Sequence, residues 1–288
     1  MLVLSGTNLT ITYIVIALHV LCMILLVYSI VILKQREMRV RLNNQRLILI
    51  NLCVIEFLTA LSFVKLQIEE IFKRTKSTME LEIEFGIRVV FALVYPLAMQ
   101  HIALDRFLEV RLHLKYPICI TNKLTNLVTL GIWVFGALLS VVLLLLTKFI
   151  YTIKDIIQFM SLYVFVMDIT IALNAILIYL YLYRVYSKLR RIDRRNSLHR
   201  IQKGKFRIPI YIISTYCLFE VSGSLLTMTA HTNTVERTLL VRKISLILYG
   251  LGFLADVFIY IFSHKLNQRR LRQERKRESS TINMAVNV

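Results

Sequence analysis

Four carboxylates, Glu56, Asp168, Glu220 and Asp256, stand in stretches that are otherwise apolar. An ionised acid is costly in hydrocarbon, so each is a functional candidate, able to bind a cation, hold a proton or meet a polar ligand group. Arg88, with Phe91 one turn further on, argues against an amine partner and for an anionic one. That partner is a ligand, Glu220 or Asp168; an arginine snorkelling to the surface is the plain alternative. Asp105, Arg106 and Phe107 fall in "LDRFLEVRLHLKYP", Leu104 to Pro117, where an apolar run gives way to a basic one. On charge alone Arg106 reads as an interfacial arginine. No nucleophile–base pairing is visible, so neither catalysis nor a cofactor is expected.

The elements that must position these residues are legible in the hydropathy. The chain has 288 residues, 57% of them hydrophobic, and a mean hydropathy of +0.65. Thr10–Leu33 and Leu124–Thr147 hold no Asp, Glu, Lys or Arg. Each is longer than the roughly 20 residues that cross a bilayer as a helix, which excludes a soluble helical protein. Seven such spans are predicted, at about 10–33, 47–68, 87–109, 124–147, 156–186, 206–230 and 241–263. They must be helices, because a backbone in lipid has only itself to bond to. The fold class is an all-α membrane protein: one domain over 1–263, then a basic tail over 264–288.

Lys and Arg set the orientation. The segments after spans one, three, five and seven hold 25 of them, and the opposite segments hold 10. The N-terminus is therefore expected outside the plasma membrane and the tail inside. The first span reads as an uncleaved signal anchor, and Asn8 opens a glycosylation sequon on the outer side. No cysteine falls outside, so no structural disulfide is expected. The net charge of +19 lies mostly on inner segments, which suit anionic membrane lipid. Nucleic acid is excluded as a partner for want of a basic face on a soluble module. Between spans two and three, Glu69, Glu70, Glu80, Glu82 and Glu84 read as a solvated loop, neutralised by Lys73, Arg74 and Lys76; attraction of a basic peptide or Ca²⁺ is the rival reading.

Seven spans with "DRF" closing the third resemble the rhodopsin-like (class A) G-protein-coupled receptors. "NLCVIEFLTAL" (Asn51–Leu61) is similar to the family's second-span pattern, with Glu56 in place of Asp. Trp133 stands where the family has its fourth-span tryptophan. "DVFIY" (Asp256–Tyr260) resembles the seventh-span motif, with Val257 in place of Pro, and "FSHKLNQRRLR" resembles the short amphipathic helix after it. "DRFLEVRLHLKY" is most similar to the branch holding adenosine, melanocortin, cannabinoid and lysophospholipid receptors. Leu81 in place of the usual cysteine and a span five without proline agree with that branch. The melanocortin ligand acids do not transfer, because Leu66, Leu81 and Phe85 fall at those positions.

The resemblance implies that Asp105, Arg106, Phe107, His113, Leu114 and Tyr260 serve a heterotrimeric G-protein, and that an extracellular ligand, unnamed by analogy, meets Arg88, Phe91, Asp168 and Glu220. It places Glu56 and Asp256 side by side, as a sodium site or as two carboxyls sharing one proton. Tyr95, where the family has a small hydroxyl residue, weighs against sodium. Leu218 and Glu220 replace the family's Trp and Pro in span six, so its kink must come from elsewhere, with Pro96 and Pro209 as candidates. Two other functions stay open: an ion- or proton-coupled transporter built on the four acids, and a signalling-silent partner of another receptor.

Overall fold

The computed structural model describes residues 6–34, 40–72, 77–112, 115–149, 153–192, 207–230 and 239–261. It is all-α among these residues, and seven of its helices are long and apolar enough to cross a membrane: Leu9–Lys34, Asn44–Ile71, Met79–Leu112, Asn122–Leu146, Leu162–Val185, Ile210–Thr229 and Leu239–Ile261. The chain is a multi-pass membrane protein with seven spans. The expected amphipathic helix from residue 264 lies outside the described residues, as do His113 and Leu114. Asn8 lies in the first turn of the first helix, Gly6–Lys34.

The second and third helices are longer than their apolar cores. The second runs Val40–Ile71 and the third Thr78–Leu112. Glu69, Glu70, Glu80, Glu82 and Glu84 therefore stand on helix, not in the expected loop. A capping box sets the start of the third. The Ser77 hydroxyl accepts from the Glu80 amide at 3.2 Å, and the Glu80 carboxylate accepts from the Ser77 amide at 3.2 Å, so two end amides that the helix cannot satisfy are satisfied reciprocally. The fifth helix, Ile153–Ile192, has 40 residues and a length of about 60 Å, well beyond a hydrocarbon core of about 30 Å.

The second and third spans hold the centre. Their buried Leu52, Ile55, Val94 and Met99 meet Phe253 and Val257 of the seventh in one apolar core. The first span packs on the second, and the third also touches the fourth and fifth. The fourth is peripheral: Leu127, Leu130, Phe135 and Leu138 are all exposed, a face that suits lipid tails. Spans one and seven approach closely at Gly250, where a Cβ would lie 2.6 Å from the Leu18 side chain, and the Cys22 thiol donates to the Gly250 carbonyl at 3.3 Å.

Span six is not a uniform helix. Arg207–Thr215 is α, Tyr216–Glu220 is a π turn, and Val221–Ala230 is α again. Pro209 lies in the first turn of Arg207–Thr215 and Pro96 within the third helix. The local distortion in span six is thus built by the π turn, which takes in Leu218 and Glu220.

Candidate functional site

At one end of the bundle Arg106 is 2% exposed. Its Nε donates to Asp105 Oδ2 at 3.1 Å, its Nη2 pairs with the same carboxylate, and its Nη1 pairs with Glu109 one turn on. The side chain is drawn inward between two acids and does not snorkel. The Tyr116 hydroxyl donates to the other Asp105 oxygen. Burial, with the Asp105 carboxylate beside it, pushes the Tyr116 phenol above its ordinary pKa, so it stays a donor. Tyr116 opens the short helix Tyr116–Cys119, which the Asn44 amide of the second helix holds by a 2.7 Å bond to the Ile120 carbonyl. Phe107 points elsewhere: its ring centre is 5.6 Å from that of Tyr181 on the fifth helix, with the Arg111 guanidinium 5.9 Å above it.

Deeper in, the Trp133 indole donates to Asn51 at 2.9 Å, tying the fourth span to the second. The structure brings Glu56 and Asp256 together. Asp256 accepts from the Thr215 hydroxyl at 2.5 Å, and Glu56 faces Asp256 and Tyr260 without a hydrogen bond of good geometry. Tyr260 is thus placed with the buried acids. The two carboxyls and the hydroxyls of Thr215 and Tyr260 bring six oxygens together here. Among the described residues no three His, Cys, Asp or Glu are arranged to hold a metal. The Tyr95 ring fills the neighbouring space, 5.9 Å from Tyr216 and 6.0 Å from Phe253.

Toward the opposite end lies a cavity of about 310 Å³, lined by spans two, three, five, six and seven, near the lower end of the range for small-molecule sites. Arg88, Phe91, Asp168 and Glu220 all line it, so four residues from three spans converge. Arg88 pairs with neither Asp168 nor Glu220; its ion pair is with Glu84, a turn away, at 3.5 Å. Asp168 accepts from Tyr216 at 2.6 Å and from Ser224. Glu220 is 5% exposed, and its Oε1 has no hydrogen-bond partner. That oxygen faces the seventh span at Gly252, where a Cβ would stand 3.1 Å away. Sequence reading missed Glu109, Tyr116, Tyr216, Ser224 and the rim residue Arg242. Only Glu109 had a signal, its three-residue spacing from Arg106 on a helix. The chain matches no family model and no curated protein.

Proposed function

We propose that the chain is a rhodopsin-like receptor that takes an extracellular ligand in the cavity and relays its presence to a heterotrimeric G-protein at the Arg106 end. The observation that carries the reading is the Arg106 cluster. A guanidinium held by Asp105 and Glu109 at the end of the third span is neutralised at rest, and becomes a contact once that end opens. The Trp133–Asn51 bond adds support, since it joins two of the residues on which the resemblance rests. In this reading the N-terminus is extracellular, the tail cytoplasmic and the membrane the plasma membrane, as the Lys and Arg distribution favours. Phe107, His113 and Leu114 belong to the coupling end, Tyr260 stands between it and the buried acids, and no catalysis is involved.

The relay runs through span six. Tyr216 and Glu220 bracket the π turn, and π turns concentrate at functional sites. Tyr216 bonds to Asp168 and Glu220 lines the cavity, while Thr215, next in line, bonds to Asp256. A ligand that favours one arrangement of these bonds shifts the population of the whole span by its differential affinity. Arg106→Ala should abolish reporter output from a co-expressed chimeric G-protein while surface expression is kept. Undiminished output from a surface-expressed variant would sink the reading.

One observation favours a carrier instead. Glu220 lies within electrostatic reach of Asp168 and Asp256, and Asp256 adjoins Glu56, so four acids form a path from the cavity into the core. A proton flux through liposomes holding the purified chain, lost in Glu56→Gln, would establish that function.

A further inference from the structure

The cavity has a basic end and an acidic end. Arg88 and Arg242 both line it, and Arg88 lies within electrostatic reach of Arg242, Glu84 and Glu69. Lys65 joins the group through Glu84 at 2.8 Å and Glu69 at 3.7 Å. Three cations thus meet two carboxylates, which leaves one positive charge in excess among these five. At the other end stand Asp168 and Glu220. Both are buried, and neither has a cationic partner among the described residues. The Asp168 bonds come from neutral hydroxyls, and Glu220 keeps a buried oxygen with no donor. A buried carboxylate without a donor is costly.

The separation of the two ends follows from helix geometry. Tyr95 lies within electrostatic reach of Glu220, and Arg88 lies seven residues before it on the third span, a rise of about 10 Å. On the seventh span Gly252 touches Glu220, and Arg242 lies ten residues before it, a rise of about 15 Å. Between the ends the walls are apolar, with Phe63, Phe85, Phe91 and Leu66. Resting on the proposed receptor reading, we infer that the ligand is amphoteric: a cationic amine for Glu220 and Asp168, an apolar middle, and a carboxylate or phosphate for Arg88 and Arg242. The rim arginine that argues against a simple amine and the acids that argue against a simple anion then serve one molecule.

The probes are straight-chain ω-aminoalkanoates, from aminobutanoate to aminododecanoate, with the matching alkanoates and alkylamines. Each is added to the full chain purified in detergent, and the thermal midpoint is read. An intermediate-length aminoalkanoate should raise the midpoint. Aminobutanoate, too short to span the ends, should not, and neither should the matching alkanoate or alkylamine. Arg88→Gln and Glu220→Gln should each weaken the best probe by about tenfold or more, the scale of a lost charge-assisted bond. The length series needs no variant, so it stands even if Glu220→Gln fails to fold. Equal stabilisation by singly charged probes, or no length dependence, overturns the inference. Stabilisation by an aminoalkanoate with no G-protein response upholds it and rejects signalling. A G-protein response to singly charged compounds alone, lost in Arg106→Ala, rejects it and keeps the receptor.

Discussion

Arg106 has two carboxylates for one guanidinium, and they are not equivalent. Asp105 is also bound by Tyr116, whose own segment is pinned to the second helix. Glu109 is 18% exposed and belongs to the rim of the cluster. In the sequence the stretch leading into span six, Arg200–Arg207, reads "RIQKGKFR" and offers Arg106 no acid. Residues 200–206 lie outside the described residues; the acids that hold Arg106 among the described residues are Asp105 and Glu109, both on its own helix. Glu109→Gln should therefore raise ligand-independent reporter output. A loss of about 1.4 kcal/mol of resting preference would shift the population about tenfold. A basal signal equal to the parent's at matched surface level would assign the restraint elsewhere. Arg106 and Asp105 were legible because a charge pair at the end of an apolar run is conspicuous. Tyr116 was not, because its contact depends on how the short helix after the third span folds back.

At the scale of the element, the hydropathy marked seven spans but not their true ends. Ser77 and Glu80 have the spacing of a capping box, yet the density of charge around them reads as solvated loop. A helix that starts outside the hydrocarbon may carry charges freely, and window hydropathy does not see it. The π turn was illegible for a different reason. It is an α-helix with one residue too many, and one residue leaves the apolar pattern nearly intact. Removing that residue should be informative. Deleting Leu218, 63% exposed, should restore an α-helical register and rotate the two halves by about 100° relative to each other. Ser224 would then leave Asp168, and Thr227 would leave Ser245, to which it bonds at 2.7 Å. The expected result is a surface-expressed chain whose thermal midpoint no longer responds to cavity ligands. Leu218→Ala, which keeps the residue count, should respond as the parent does.

The molecule as a whole is a ring of spans that has to be closed, and the closure is polar. Lys243 of the seventh span is 1% exposed. It donates to Thr12 of the first span at 2.6 Å and pairs with Glu70 of the second at 3.0 Å. Lys243→Met keeps the length of the side chain and removes both bonds. Glu70 is 25% exposed, so water softens its loss. The cost should be about 1.5–3 kcal/mol, that of hydrogen bonds to a charged group, read as a lower thermal midpoint of the purified chain. A midpoint equal to the parent's would make this contact incidental. Nothing in the sequence pairs Lys243 with Glu70, because the match exists only once the seventh span lies against the first two.

That same contact sets a clock. Thr12 and Lys243 are 231 residues apart, and a ribosome adding 5–20 residues per second needs about 10–50 s to travel between them. In the part of that interval after the second span is made, Glu70 has yet to meet Lys243. A nascent chain stopped before residue 239 lacks Lys243, and its first two spans are held without the bond that ties them to the seventh.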